Sequence, residues 1–541
     1  MKYGKGKNES YNAVILAAGK SSRFAPFIYE RPKGLFRIKG EILIERQVEQ
    51  MIEAGIRQII IVVGYMKEKF FYLERKYPQV HLVVNNRFEA KGNIYSLYVV
   101  RKYLANTYLS YSDYYYESNP FFPDGDEARS YCACIYRNNT FGKFTCRYSD
   151  AHVITHVSIG GFDQMAMLGH LRFSESFSKR LVTLLENEID DFRISSLFFE
   201  EFYQRHVQEL TLYLRVFDEQ DIVEFDSIDD LRTFDADFFS CVDSEIVTNI
   251  CHSLACSPNA IKDIAVIHAG LTNVSFMFRV AHNMFVYRHP GGTSGNLINR
   301  KNERIAQSIA KELGIDNSLV NISSEGWKIS RYVQNLVSCD FRKNDWQLRK
   351  GMDYLRKIHS LTAQDVDGMK VFDNYEEGVR LMRIASATKG NLLSEFADEI
   401  EKTQRLSNFL KSDAERLGYK RVCCHNDVYA PNFLATANRE LYLIDWEFAG
   451  LNYAANDLAC IFSRYEYSEE DIERFLEVYL QHAPTKDEHR FYTSFIPLKA
   501  FYWLGWGVYK GSMGEDDGFF FLPAYRIFHR FIDDALASYE K

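Results

Sequence analysis

Three short apolar runs near the N-terminus restrict the architecture more than any other feature of the chain. Ala13 to Ala17 ends just before Gly19, Ile59 to Val63 ends at Gly64, and Val80 to Val84 stops before Asn85 and Asn86. Such near-continuous runs suit strands that are buried on both faces, which is the habit of parallel sheets covered by helices. Between the first two runs, Leu43 to Ala54 places Ile44, Val48, Met51 and Ile52 at helical spacing and closes at Gly55. Parallel neighbours need crossover connections, and those are right-handed. The first part of the chain therefore reads as an α/β, doubly wound domain.

The texture changes around Glu224 to Asp237, which is acidic and polar, and a new helical pattern starts near Ser244. Strands follow at Val274 to Val280 and Met284 to Arg288, then a helix from Asn299 to Leu313, and from about Asp345 the pattern is mostly helical. Strands first and helices later predict a two-lobed α+β domain. The expected boundary falls near 238–245, giving domains 1–240 and 241–541. Composition then excludes several classes. Lys and Arg number 65 against 73 Asp and Glu, a net charge of −8 without basic blocks, so nucleic acid is not an expected partner. No run approaches the length of a membrane span, and Met1 to Lys7 shows no cleavable signal pattern. The ten cysteines lack zinc spacing and are too sparse for a disulfide scaffold. The expectation is a cytoplasmic protein with small-molecule partners and no membrane insertion; a homo-oligomer stays open.

Leu16-Ala17-Ala18-Gly19 follows the first strand run, with Arg23 four residues beyond Gly19 and Lys33 ten beyond Arg23. Small residues and a glycine at a strand end let backbone amides approach a phosphate. Two cations after the turn suit the charge that gathers when a nucleoside triphosphate is attacked at its α-phosphorus. This stretch resembles the nucleotidyltransferases that make activated sugars and alcohols, and most closely the bacterial CTP:phosphocholine cytidylyltransferases. The resemblance continues through Ile61-Val62-Val63-Gly64-Tyr65, Asn85-Asn86, Asn93-Ile94-Tyr95-Ser96-Leu97 and Ile222 to Ser227. It implies a Rossmann-like mixed sheet and CTP as substrate. It further implies Asp113 as a Mg²⁺ ligand, Glu200 after Phe198-Phe199 as the second metal-site acid, and Asn93 and Ser96 at the cytidine or phosphates. Tyr111 stands where relatives often place a further aspartate.

A second constellation is His425-x-Asp427-x-x-x-x-Asn432, with Asp445 thirteen residues after Asn432. Phosphoryl transfer needs a carboxylate to take the hydroxyl proton and oxygen ligands for Mg²⁺ on the triphosphate; Asp427 suits the first role, Asn432 and Asp445 the second. His268 to Asn273 lies between strands, where a phosphate-covering loop belongs, and brings Thr272 and Asn273 to ATP. Arg288 ends a strand and can meet the phosphates, with Glu303 on the next helix as its partner. The run from about Ser244 to Lys541 resembles the choline/ethanolamine kinase family, a protein-kinase-like fold. The residues that carry this are Leu271-Thr272-Asn273, Tyr287-Arg288, Ile298-Asn299-Arg300, His425-Asn426-Asp427, Asn432-Phe433 and Ile444 to Glu447.

A quaternary ammonium is recognised by aromatic faces and a nearby carboxylate. Trp503 and Trp506 are three apart and share a face if helical; the resemblance makes them walls of an ammonium pocket, with Phe448 beside them and Glu447 as the carboxylate. The competing reading is an aromatic stripe in the core. Arg464 stands where the resemblance leads one to expect an acid. Together the halves suggest a bifunctional enzyme that phosphorylates choline with ATP and couples phosphocholine to CTP, with Mg²⁺ in both sites, for decorating surface glycans or lipids. Ethanolamine or another amino alcohol, a sugar nucleotide, an aminoglycoside-type kinase, or one half serving only as a binding or regulatory module remain alternatives.

Overall fold

The structure is a computed structural model that describes residues 11–122, 129–267, 273–290, 297–514 and 518–540. The chain forms two compact units, Met1–Val266 and Ile267–Lys541.

In the first unit, β1 (Asn12–Ala17), β2 (Ile59–Val63), β3 (Val80–Val84) and β4 (Thr107–Tyr111) run parallel in the spatial order β3-β2-β1-β4. A short strand, β5 (Tyr114–Tyr116), leaves this sheet. β6 (Tyr131–Asn139), β7 (Phe144–Tyr148), β8 (Ile154–Ile159), β9 (Phe162–Phe173) and β10 (Tyr213–Val216) complete it, with β9 antiparallel to β4. β5 pairs instead with β11 (Ile222–Glu224), antiparallel, setting Glu224 opposite Tyr114. The apolar runs have a direct explanation in the layers. Ala13, Ile15 and Ala17 of β1 face one core with Ile44, Val48 and Met51 of helix α1 (Leu43–Glu53). Val14 and Leu16 face the other, with Ile94 and Leu97 of α2 (Asn93–Val99). Burial is worth roughly 1.5–3 kcal/mol per large aliphatic side chain, so neither face of this strand tolerates a polar residue.

The division at Val266 lies beyond the boundary of 240 read from the sequence, for a packing reason. Phe238 and Phe239 set their rings 5.2 and 5.1 Å from that of Phe27. The amide of Ile246, in helix α4 (Glu245–Leu254), donates to Glu30 at 2.9 Å. The acidic segment is thus internal to the first unit.

The second unit opens with β12 (Asn273–Val280), β13 (Asn283–Pro290), β14 (Leu319–Ile322) and β15 (Lys328–Arg331), which pair antiparallel in the order β12-β13-β15-β14. Helix α5 (Arg300–Glu312) follows β13. The remainder is mainly helical around one large core, as a two-lobed α+β domain requires. Within it β16 (Val422–Cys424) pairs with β17 (Gly450–Asn452), preceding helices α6 (Ala454–Phe462) and α7 (Lys486–Ser512). Among the described residues no helix is long and apolar enough to cross a membrane.

Gly92 sets the start of α2. Its amide donates to the carbonyl of Ser195 at 3.0 Å, and a Cβ there would lie 2.0 Å from the carbonyl oxygen of Leu197. Backbone cannot yield as a side chain can, so Gly92→Ala is expected to destabilise the first unit by about 1–3 kcal/mol. Urea unfolding should show a lower midpoint at unchanged slope; an unmoved midpoint would refute this account of the contact.

Candidate active sites

The turn after β1 is built for close approach. Leu16, Ala17 and Ala18 are buried, Gly19 is exposed with open space where a Cβ would stand, and Ser21 adopts a left-handed φ of 51°. The Leu16 carbonyl accepts from the Ser112 amide at 3.0 Å, which ties the corner carrying Asp113 to the end of β1. Lys33 is 5% exposed; its Nζ donates to Asp113 Oδ2 at 2.8 Å and to the Phe225 carbonyl, and lies 4.0 Å over the Phe24 ring. Arg23 is exposed and reaches Asp226 at 3.7 Å.

Two acids that sequence reasoning did not assign complete this corner. Lys143 Nζ sits 2.6 Å from both Glu224 and Asp226. Burial raises the Glu224 pKa, and Lys143 offsets only part of that. Burial also opposes ionisation of Asp226, but Lys143, Arg23 and Lys33 together outweigh it and hold that carboxyl below its usual range. The signal was present as acids at i and i+2 around a strand end, a spacing that puts both on one face.

Glu200 has a different setting. In the first turn of α3 (Phe199–Arg205) it is buried and accepts from the Tyr111 hydroxyl at 3.2 Å. Asn93 links the same group, donating to Tyr111 at 2.8 Å and accepting from the Phe199 amide at 2.7 Å. Desolvation pushes Glu200 up to about 7. The structure sets Glu200 against Tyr111 and Asn93, whereas Asp226 stands with Lys143, Arg23 and Lys33. Ser96 is buried and accepts from Asn85 at 3.0 Å; the residue capping α2 is Gly92.

In the second unit a buried aspartate fixes the catalytic loop. Asp457 is fully buried and accepts from the amides of His425 and Asn426 at 2.8 and 2.7 Å and from His359 Nε2 at 3.0 Å. Asn426 takes a left-handed φ of 63°, and its side chain bonds the Phe448 carbonyl at 3.0 Å. That brings Asn432 Nδ2 to 3.0 Å from Asp427 Oδ2 and 2.8 Å from its carbonyl. Burial raises the Asp427 pKa against the pull of Arg464, Lys499 and His425. Asp445, left-handed at φ 66°, lies 3.4 Å from Arg288. Arg288 is ion-paired with the fully buried Glu303, whose other oxygen takes Arg300 at 2.7 Å. Lys328, buried on β15, is a further cation here that the sequence reading missed; burial and Arg288 lower its pKa. Thr272 lies outside the described residues, and Asn273 is placed only by its backbone pairing with Pro290.

Phe448 is ringed by Trp503 and Trp506 at 6.0 and 5.7 Å. A cavity of about 130 Å³ is lined by Phe372, Glu447, Phe448, Tyr502 and Trp506, among others. Trp503 is not on that lining. Its ring face carries the Arg464 guanidinium at 3.7 Å, which also donates to Asp427 Oδ1 at 2.7 Å. Protein cations lie over both indoles, Arg464 over Trp503 and Lys510 over Trp506 at 5.6 Å. Trp506 lines the cavity.

The first site joins a glycine turn at a strand end to a buried lysine held on a carboxylate. The second joins a catalytic-loop Asp and Asn to an Asp after a strand. These define two nucleotide-using phosphotransfer sites, a nucleotidyltransferase and a kinase. Residues 13–110 match the MobA-like NTP transferase domain model, and residues 264–517 match the choline/ethanolamine kinase model. A 2-aminoethylphosphonate cytidylyltransferase of Lancefieldella rimae is 33% identical, covering 43% of this chain and 95% of that protein. A choline-phosphate cytidylyltransferase of Streptococcus pneumoniae is 31% identical, covering 41% and 95%. The crystal structure of a Streptococcus pneumoniae choline kinase, at 23% identity and a TM-score of 0.44, covers 55% of this chain and 100% of its own. The chain belongs to the cytidylyltransferase family through its first unit and carries a choline/ethanolamine kinase domain in its second.

The Glu200 setting has a pH consequence. Its folded pKa of about 7 stands above the usual glutamate value, so the folded state holds the proton more tightly. Stability from this group is present at low pH and is lost as pH rises through 7, by up to about 3 kcal/mol. Glu200→Gln should abolish that loss. Denaturant unfolding of the first unit at pH 5 and pH 8 tests it: an equal pH difference in wild type and variant would contradict the assignment.

Proposed function

We propose that the chain carries one small amino alcohol through two consecutive reactions. In the second unit the alcohol oxygen attacks the γ-phosphorus of ATP, its proton passes to Asp427, and ADP leaves. Arg288, braced by Glu303, meets the phosphates. In the first unit a phosphate oxygen of that product attacks the α-phosphorus of CTP and pyrophosphate leaves, with Lys33 and Arg23 offsetting the charge that gathers there. The phosphoryl ester made by a kinase is the nucleophile that a cytidylyltransferase consumes, and the presence of both sites in one chain carries this reading.

The donor sets fit Mg²⁺, which takes hard oxygen ligands: Asp113 and Asp226 would hold it in the first unit, Asn432 and Asp445 in the second. When bound, the ion neutralises phosphate oxygens. Choline is the acceptor that the sequence favours, and the cavity beside Glu447, Phe448 and Trp506 supports an ammonium group. A CDP-linked alcohol would then serve as donor to surface glycans or lipids.

The test is a product assay with ATP, CTP, Mg²⁺ and choline or ethanolamine, read by mass spectrometry as the CDP-alcohol. Asp427→Ala should slow phosphorylation about 10²–10⁴-fold while leaving CTP coupling of a supplied phospho-alcohol intact. Asp113→Ala should do the reverse. A single variant that silences both steps, or neither, would defeat the scheme.

A further inference from the structure

Helix α1 carries one polar residue inside its buried stripe. Leu43, Ile44, Val48 and Met51 face the core at helical spacing, and Gln47 lies among them, 0% exposed. A buried amide needs acceptors for its NH₂ and a donor for its oxygen, and Gln47 has them. Its Nε2 donates to the carbonyls of Tyr111 at 3.0 Å and Tyr114 at 2.9 Å, and its Oε1 accepts from the Ser110 hydroxyl at 2.9 Å. Tyr111 ends β4 and Tyr114 begins β5, so one side chain joins the two strands across the Ser112-Asp113 turn. Resting on the reading of the first unit as a Mg²⁺-assisted cytidylyltransferase, we infer that Gln47 is a positioning residue for that reaction: it fixes the backbone from which Asp113 reaches the ion.

The surrounding bonds leave the amide one orientation. Two carbonyls can only accept, so the NH₂ faces them and the oxygen faces Ser110. With its hydrogen on Gln47, Ser110 accepts from the Tyr116 hydroxyl at 2.7 Å, and Tyr116 accepts from His170 Nδ1 at 3.2 Å. Burial, with Arg215 and Arg172 nearby, pushes the His170 pKa down to about 3, so its ring is neutral and carries one N–H. That hydrogen is on Nδ1, and Nε2 accepts from the Tyr131 hydroxyl at 3.2 Å. The chain of bonds thus anchors Gln47 to His170 on β9 and Tyr131 on β6.

The turn is where such an anchor acts. β5 has left the main sheet, has three residues, and pairs with the equally short β11. Lys33 draws the Asp113 carboxylate from one side at 2.8 Å, while Gln47 holds the main chain on both sides of it. Lys33 therefore sets where the carboxylate points, and Gln47 sets the backbone that carries it. Groups that orient a metal ligand in this way change metal affinity or activity by about tenfold to a hundredfold when lost.

The experiment uses the full chain and two variants. Gln47→Met keeps the side-chain length and removes both donors. Ser110→Ala removes the bond that orients the amide, and it covers the case in which the methionine variant fails to fold. Mn²⁺ binding in the presence of CTP is followed by electron paramagnetic resonance, counting only the ion lost in Asp113→Ala. CTP coupling of phosphocholine is measured against Mg²⁺ concentration. Gln47→Met should weaken that Mn²⁺ site, and raise the half-maximal Mg²⁺ concentration, by about tenfold to a hundredfold, with ATP-dependent phosphorylation unchanged. Ser110→Ala should move both in the same direction by less. Amide hydrogen exchange should quicken across residues 110–117 and stay unchanged in β2 and β3. Unaltered Mn²⁺ affinity and Mg²⁺ dependence would overturn the inference even with a lower urea midpoint, because a purely structural glutamine lowers stability alone. Faster exchange throughout the first unit would overturn it too. Equal Mn²⁺ binding by wild type and Asp113→Ala would remove Asp113 as a ligand and the inference with it. A wild type that binds the ion with the expected Gln47 dependence yet couples no CTP would defeat the cytidylyltransferase reading and leave Gln47 as the support of the ion site.

Discussion

A charge taken out of water has to meet its opposite, and this constraint organises both sites. Lys33 is almost fully buried yet sits on Asp113; Glu303 is wholly buried between Arg288 and Arg300; Asp457 is wholly buried under two loop amides and His359. Removing one partner of such a pair leaves the other uncompensated, which is far more damaging than losing a surface ion pair. The result is rigid placement. Strand ends and loops that would otherwise move are held by these buried pairs.

The two sites reach this state by different routes. In the first unit, positioning comes from the sheet: β1 carries the glycine turn, the Ser112 amide docks on its last turn of ladder, and β5 with β11 brings Glu224 and Asp226 round to the lysines. In the second, a loop is shaped by side chains. Asn426 in a left-handed conformation, and Asp457 beneath it, set Asp427 and Asn432 within hydrogen-bond reach of each other. Local strain of this kind survives only where surrounding bonds over-determine it.

The cavity beside Phe448 shows how charge and packing divide one aromatic segment. The aromatic segment of α7 packs as a helix of the core, and its Tyr502 and Trp506 also line a cavity. Trp506 lines that cavity, with Lys510 over its ring, whereas Trp503 lies off the lining beneath Arg464.

Local chemistry was legible in the chain because its signals are local. Unalternating apolar runs dictate strands buried on both faces, and the spacing from His425 to Asn432 is one loop's own geometry. Pairings across the fold were not legible. Asp226 rather than Glu200 joins Lys33 because β5 pairs with β11, and Glu200 turns instead to Tyr111. The segment after residue 240 belongs to the first unit because the Ile246 amide finds Glu30 and Arg31 finds the Asp243 carbonyl. The sequence by itself determined the elements, the two chemistries and most of the charged groups. The tertiary structure alone decided which charge meets which, because burial makes an unpaired charge intolerable without stating, in sequence, which opposite charge will be at hand.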